Sequence, residues 1–201
     1  MGRTFRGAYP CGQGARLKFN ATPLPGAFVI DVERHEDERG FFARTICTDE
    51  FTQQGLNPHF VQHSVSWNAR AGTLRGMHYQ VAPHEEEKLV RVTRGAVFDV
   101  ILDLRRESPT FGRWHGVELS ANNHRQLYIP RGVAHGFQTL LPETEVLYAM
   151  TVPFHAGSAR GLRWDDPAVA IAWPEYGERI ISERDRVLPL ISEYVKQTQI
   201  D

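Results

Sequence analysis

The residues best suited to chemistry fall in four short runs. "LRGMHYQ", Leu74 to Gln80, carries Arg75 and His78. "KLVRVTR" opens on Lys88, "VAHGF" contains His135, and "EVLYAMT" contains Tyr148. Taken singly, each has an ordinary structural use. A histidine serves as a hydrogen-bonded wall, Lys88 as a charge at a strand entry, and Tyr148 as a core aromatic. Facing one cavity, they suit proton abstraction beside a carbonyl. The imidazole titrates near working pH and takes the α-proton. The ammonium stabilises the enolate oxygen as charge develops there. The phenol returns a proton from the opposite face and so inverts the carbon. A carboxylate on the other ring nitrogen of the base would fix its tautomer.

These side chains need rigid elements, and the chain is rich in strand signals. Candidate strands are 27–33, 41–46, 60–67, 73–80, 88–94, 96–104, 113–119, 126–130, 135–141 and 145–151. Many alternate apolar and polar residues, the period of a half-buried strand. Turns are supplied by Glu38-Arg39-Gly40, Ala71-Gly72, Arg94-Gly95, Ser108-Pro109 and Pro130-Arg131-Gly132. Helical pattern is confined to 48–55, with Thr48 as candidate N-cap and Gly55 as stop, and to "DRVLPLISEYVK" near the C-terminus. Many short strands at even spacing predict an all-β sandwich or barrel, of which the jelly roll is one solution. Within it, Arg75 and His78 have the wrong parity. Three residues apart on a straight strand, they point to opposite faces. Gly76 between them is where a bulge would re-aim one of them into a shared cleft.

At 201 residues the chain suits a single domain. A formal net charge of −1 gives no general attraction to nucleic acid or an anionic membrane, so any bound anion needs a local cluster. No run of about 18 apolar residues reads as a membrane span. The first residues lack the apolar segment of a secretory signal. Residues 1–24, with Arg3, Arg6, Arg16 and Lys18 and no acid, read as a basic, partly flexible arm. The main domain is expected over 25–190, with a tail over 191–201. Cys11 and Cys47 match neither a disulfide framework nor a zinc knuckle and read as reduced thiols of a cytoplasmic protein.

"IPRGVAHGF", with its Pro-x-Gly-x-x-His spacing, resembles the second half of the cupin signature. Metal-binding cupins carry two histidines one residue apart in the first half, followed by a glutamate. Here that run is "HYQ", and Gln80 stands where the second histidine would be. Glutamine is a poor ligand beside imidazole. No metal is therefore expected, although Glu85, Glu86 and Glu87 lie close in sequence.

From about Pro25 to Leu190 the chain is similar to the dTDP-4-dehydrorhamnose 3,5-epimerases and related nucleotide-diphospho-keto-sugar epimerases. The landmarks are "DERGFFAR", "QHSVS", "GTLRGMHYQ", "EKLVRVTRGAVFDVILDLRRESPTFGRW", "LYIPRGVAHGF", "EVLYAMT", "WDDPAVAIAWP" and "SERD". The resemblance implies a cupin-type jelly roll, a homodimer and no cofactor. It implies His78 as general base paired with Asp185, Tyr148 as general acid and Lys88 at the enolate. It places Arg75 and His135 at the sugar and diphosphate, and Arg39, Phe41 and Gln62 at a nucleotide pocket partly walled by the partner chain. Ser64 is included among the substrate-binding residues, and Arg184 at the diphosphate. Four departures stand out. Arg44 replaces a usual glutamate, Ser64 ends "QHS" where Gln-x-Asn is usual, Phe154 replaces a tyrosine near the substrate, and the stretch that follows, "HAGSARG", lacks its usual acidic residue. The nucleobase and the choice between inversion at C3, C5 or both are thereby open. A ketoisomerase, a single-centre epimerase on another nucleotide sugar, and a non-catalytic sugar-binding cupin are the alternative expectations.

Overall fold

A computed structural model of the chain describes residues 16–197. Its elements, in order, are β1 (Leu17–Ala21), β2 (Phe28–Val32), β3 (Arg34–Asp37), β4 (Gly40–Ala43), α1 (Thr48–Gln53), β5 (Gln62–Asn68), β6 (Leu74–Gln80), β7 (Lys88–Arg94) and β8 (Ala96–Asp103). They continue with β9 (Trp114–Ser120), β10 (Gln126–Ile129), β11 (Val133–Thr139), β12 (Thr144–Met150), β13 (Ala159–Gly161), α2 (Glu183–Arg186) and α3 (Ile191–Gln197). One sheet has the order β1-β2-β10-β7-β12-β5 and the other β13-β6-β11-β8-β9. Every strand pairing in both is antiparallel. Strands β3 and β4 form a separate hairpin.

Strand parity explains the layering. Val90 and Val92 of β7, Leu127 and Ile129 of β10 and Val146 of β12 meet Val97 and Ile101 of β8, Leu119 of β9, and Val133 and Phe137 of β11 between the sheets. The alternate residues point outward. On one outer face Leu74, Met77, Val100, Leu102 and Ala134 are covered by Leu162, Val169, Trp173, Ile181 and Ile191 of the C-terminal segment. On the other, Ile30, Leu89, Tyr128 and Ala149 are covered by Phe51 of α1, Leu56 and Leu17. Burial of this kind contributes about 25 cal/mol per Å² of apolar surface, so both outer coverings stabilise the barrel. The all-β jelly-roll expectation holds: the sheets form a sandwich, packed at one end and open at the other.

Several local expectations change. Residues 17–24 are no loose arm, because β1 pairs along its length with β2 and Leu24 sits in the inter-sheet core. Residues 1–15, with Arg3 and Arg6, lie outside the described residues. Thr48 is the first residue of α1 rather than its cap. Cys47 occupies the cap position and makes no side-chain capping bond. The expected tail contains α3, whose Ile191 is buried in the outer core and whose Tyr194 hydroxyl donates to the Leu104 carbonyl at 2.9 Å. Cys47 is disulfide-bonded, which corrects the reduced-thiol reading at that position. The other cysteine of the sequence, Cys11, lies outside the described residues. Among the described residues no helix is long and apolar enough to cross a membrane.

Candidate active site

The open end of the sandwich holds a cavity of about 510 Å³ between the two sheets. Inward parity brings Gln62, Ser64 and Ser66 of β5, Lys88 of β7, and Tyr148 and Met150 of β12 to one wall. The other wall carries Arg75 and His78 of β6 with His135 and Phe137 of β11. Ser182, Arg184 and Asp185 close it from α2 and its cap, and Phe154 lies at its edge. Nine of the expected residues therefore converge: His78, Tyr148, Asp185, Lys88, Arg75, His135, Gln62, Ser64 and Arg184.

Arg75 and His78 share the cavity because β6 is irregular. Opposite β11, His135 pairs with His78 and Phe137 with Arg75, so β6 spends one residue more than its neighbour. Leu74 and Met77 consequently both enter the outer core, while Arg75 and His78 both face inward. Gly76 has φ +126°, and a Cβ there would stand 2.5 Å from the Gly136 Cα. Only glycine fits such a backbone with such a neighbour.

Two histidine–aspartate pairs line this wall. His78 Nε2 lies 2.7 Å from Asp185 Oδ1, and the Gly76 amide donates to Asp185 Oδ2 at 3.3 Å. The Asp185 amide donates to Ser182 Oγ at 3.1 Å, the cap of α2 that aims the carboxylate. Burial alone would raise the Asp185 carboxyl, but the His78 hydrogen bond and charge, the Gly76 amide and Ser182 hold it below the usual carboxylate range. With Asp185 ionised, His78 donates from Nε2 and its Nδ1 lone pair is left for a substrate proton. Behind it, buried His135 Nε2 lies 2.9 Å from Asp99 Oδ1 and 3.0 Å from Oδ2. Burial pushes the Asp99 carboxyl up, against the opposing pull of His135 and Lys88.

The Tyr148 ring packs edge-on to His135 with centroids 5.9 Å apart. Its phenol is pushed far above the usual range, by burial first and by the Asp99 charge second, while Arg75 opposes the shift. It is therefore held protonated, and a phenolate formed there would find Arg75 as its counter-charge. Arg75 is oriented by its Nε donating to Asn68 Oδ1 at 2.9 Å. Lys88 Nζ is 2.9 Å from Glu86 Oε1, with both side chains largely buried. The set supplies a base with a free ring nitrogen, a neutral phenol on the facing sheet, an ammonium, and two arginines suited to an anion.

Arg39 and Phe41 do not enter this cavity. Arg39 ion-pairs with Asp37 at the hairpin turn, and Phe41 packs on His124 at 4.7 Å with Arg34 5.5 Å from its ring. Arg44 does not present a free cation, since its Nη1 is 2.7 Å from Glu50 Oε1. Gln80 ties two loops together: its amide donates to the His84 carbonyl at 2.9 Å, and its oxygen accepts from the His155 amide at 2.6 Å. Of the three adjacent glutamates, Glu86 holds Lys88 and Glu87 lies 4.0 Å from Arg131. Sequence reasoning missed Asp99, Asn68, Glu86 and Ser182. Asp99 carried the one usable signal, an acid at an inward position within the apolar run "AVFDVILD".

The family model described as dTDP-4-dehydrorhamnose 3,5-epimerase matches residues 21–193. A protein of that name from Methanothermobacter thermautotrophicus is 45% identical over 174 residues, 86% of this chain and 93% of the relative. A crystal structure of dTDP-4-dehydrorhamnose 3,5-epimerase from Bacillus anthracis, with TDP and PPi bound, is 43% identical with a TM-score of 0.84, over 87% of this chain and 99% of that one. A dTDP-6-deoxy-D-glucose-3,5-epimerase from Legionella pneumophila, in complex with dTDP-4-keto-L-rhamnose, is 36% identical with a TM-score of 0.83, over 88% and 94% of the two chains.

Proposed function

The chain belongs to the dTDP-4-dehydrorhamnose 3,5-epimerase family, and on that footing we propose that it inverts carbon centres beside the ketone of a nucleotide-activated 4-keto-6-deoxy hexose. The observation that carries this reading is the placement of His78 and Tyr148 on facing sheets around one cavity. His78 Nδ1 takes the proton from the carbon next to C4. The C–H pair becomes the enolate, and charge gathers on the C4 oxygen beside Lys88. The Tyr148 hydroxyl gives its proton to the opposite face of that carbon, the ketone reforms, and the phenolate left behind is met by Arg75. Asp185 holds the imidazole in the required tautomer and stabilises the imidazolium. Arg75 and Arg184 take the diphosphate, with Gln62, Ser64 and His135 on the sugar and nucleotide.

Phe154 brings no hydroxyl to the edge of the cavity, which bears on how many centres are inverted. Incubating the protein in heavy water with dTDP-4-keto-6-deoxyglucose and reading the sugar by NMR tests both points. Deuterium at C3 and C5 with the inverted product is expected. Deuterium at one carbon alone identifies a single-centre epimerase, and no deuterium anywhere refutes the reading.

The working unit in this proposal is a homodimer. The hairpin β3–β4 stands out from its own barrel with Phe41 45% and Phe42 70% exposed, and edge strand β5 exposes Val65 and Trp67. Arg39 and Phe41, which do not enter their own chain's cavity, then wall the partner's nucleotide pocket. We assign the enzyme to the cytoplasm, where nucleotide pools supply such sugars. In that compartment the Cys47 disulfide opens to a thiol, so thiol labelling of protein taken directly from cells is expected to modify Cys47, and a Cys47 that resists labelling would contradict the assignment.

A further inference from the structure

Beside the main cavity lies a smaller compartment of about 200 Å³ that shares His78, Lys88, Met150, Phe154 and Arg184 with it. Glu86 lines only the smaller one. It is 8% exposed, and its Oε1 lies 2.9 Å from Lys88 Nζ. Its other oxygen, Oε2, is buried with no hydrogen-bond partner among the described residues. A buried carboxylate oxygen left unpaired is costly, and a residue retained only to tie a loop together would use both oxygens. The loop is tied by other means. The Glu87 amide donates to Thr151 Oγ1 at 2.9 Å, and the Thr151 amide donates to the Glu87 carbonyl at 3.0 Å. Glu86 is thus held rigidly, and Lys88 is the group it addresses.

We propose that Glu86 is a positioning residue that fixes the Lys88 ammonium at the ketone end of the cavity. A flexible four-carbon stem has many rotamers, and one carboxylate contact from the side selects the one that points between the sheets. The other ammonium protons are left for the enolate oxygen. The inference rests on the reading of Lys88 given above, and it concerns kcat rather than substrate affinity, because Glu86 Oε2 is closed to ligand.

The test compares wild type, Glu86→Gln, Lys88→Met and the double variant on the same keto-sugar, with melting temperatures alongside. Glutamine keeps the shape and one acceptor, so a folded protein is available even where Glu86→Ala fails to fold. The expected result is a kcat lowered between about tenfold and 100-fold in Glu86→Gln, with KM within about twofold of wild type. In the Lys88→Met background, Glu86→Gln causes no further loss of kcat, since there is no ammonium to place. A Glu86→Gln enzyme as fast as wild type, or one that loses the same factor with and without Lys88, overturns the proposal. A wild type that exchanges no solvent deuterium sinks the function and this inference together, so the two failures are told apart by the wild-type lane.

Discussion

Tyr148 and His78 are both ring side chains on inward strand positions, yet their surroundings set them different tasks. His78 has an exposed face and the Asp185 carboxylate behind it, as the base proposed above needs. Tyr148 is half-buried against the inter-sheet core, and its phenol, with its acidity lowered by burial and the Asp99 charge, stays neutral, as the proposed proton donor needs. Replacing Tyr148 by Phe removes the donor and leaves the base. Deuterium should still enter the sugar from the His78 side, while inverted product falls by about 10²–10⁴-fold, the usual range for losing a general acid. Wash-in and product NMR on one sample check this, and an unchanged yield of inverted sugar removes Tyr148 from the mechanism. Among single residues, the sequence was readable where a reactive type stood at a strand position, as for His78, Lys88, His135 and Tyr148. Asp185 was legible through the "SERD" resemblance alone. Asp99 was signalled only by its place as an acid inside an apolar run, which gains meaning once a cross-strand histidine stands beside it, and Glu86, one acid among three in a loop, was not legible until a buried lysine was placed beside it.

The extra residue in β6 shows how an element converts a sequence oddity into a site. The odd spacing of Arg75 and His78 and the glycine between them pointed to a bulge, and the pairing with β11 contains one. Strands β1, β3 and β13 escaped notice for a physical reason. "RHED" has no apolar face, "ARG" is too short for a period, and β1 mixes with the basic N-terminal residues. The end of β8 offers a test of how firmly these elements are anchored. Buried Asp103 accepts from Arg105, Ser108 and Thr110. Burial opposes its ionisation, but these donors and the Arg105 amide bring its carboxyl down to about 2. Since the folded value lies below the unfolded one, its contribution is complete above the ordinary carboxylate range and is lost as pH falls towards about 2. Asp103→Asn should cost on the order of 2 kcal/mol at neutral pH, since each tenfold change in proton affinity is worth about 1.4 kcal/mol. The gap to wild type should narrow in urea titrations as the pH falls below about 4. A gap that stays constant with pH would show that the loss comes from packing instead of charge.

Across the whole molecule, apolar side chains fill one end of the sandwich and polar ones line the other, so a single inner surface serves as both core and site. Phe137 belongs to both. The jelly roll was legible from strand spacing, whereas the coverings of its outer faces were not, because the C-terminal segment that supplies one of them is mostly irregular and has no period to read. The hairpin β3–β4 and the exposed face of β5 are the surfaces on which the proposed dimer rests. Mixing His78→Ala with an Arg39→Ala/Phe41→Ala variant should restore activity that neither has alone, because the mixed dimer pairs an intact cavity with an intact hairpin. Absence of recovery, in a mixture shown by mass spectrometry to contain the mixed dimer, contradicts a shared pocket. The whole mechanism turns on the His78 imidazole removing the proton next to the ketone, and the decisive measurement is deuterium entry into the keto-sugar catalysed by His78→Ala in heavy water. The expected outcome is a folded protein in which deuterium entry at the carbons flanking C4 is abolished. Entry at the wild-type rate would contradict it.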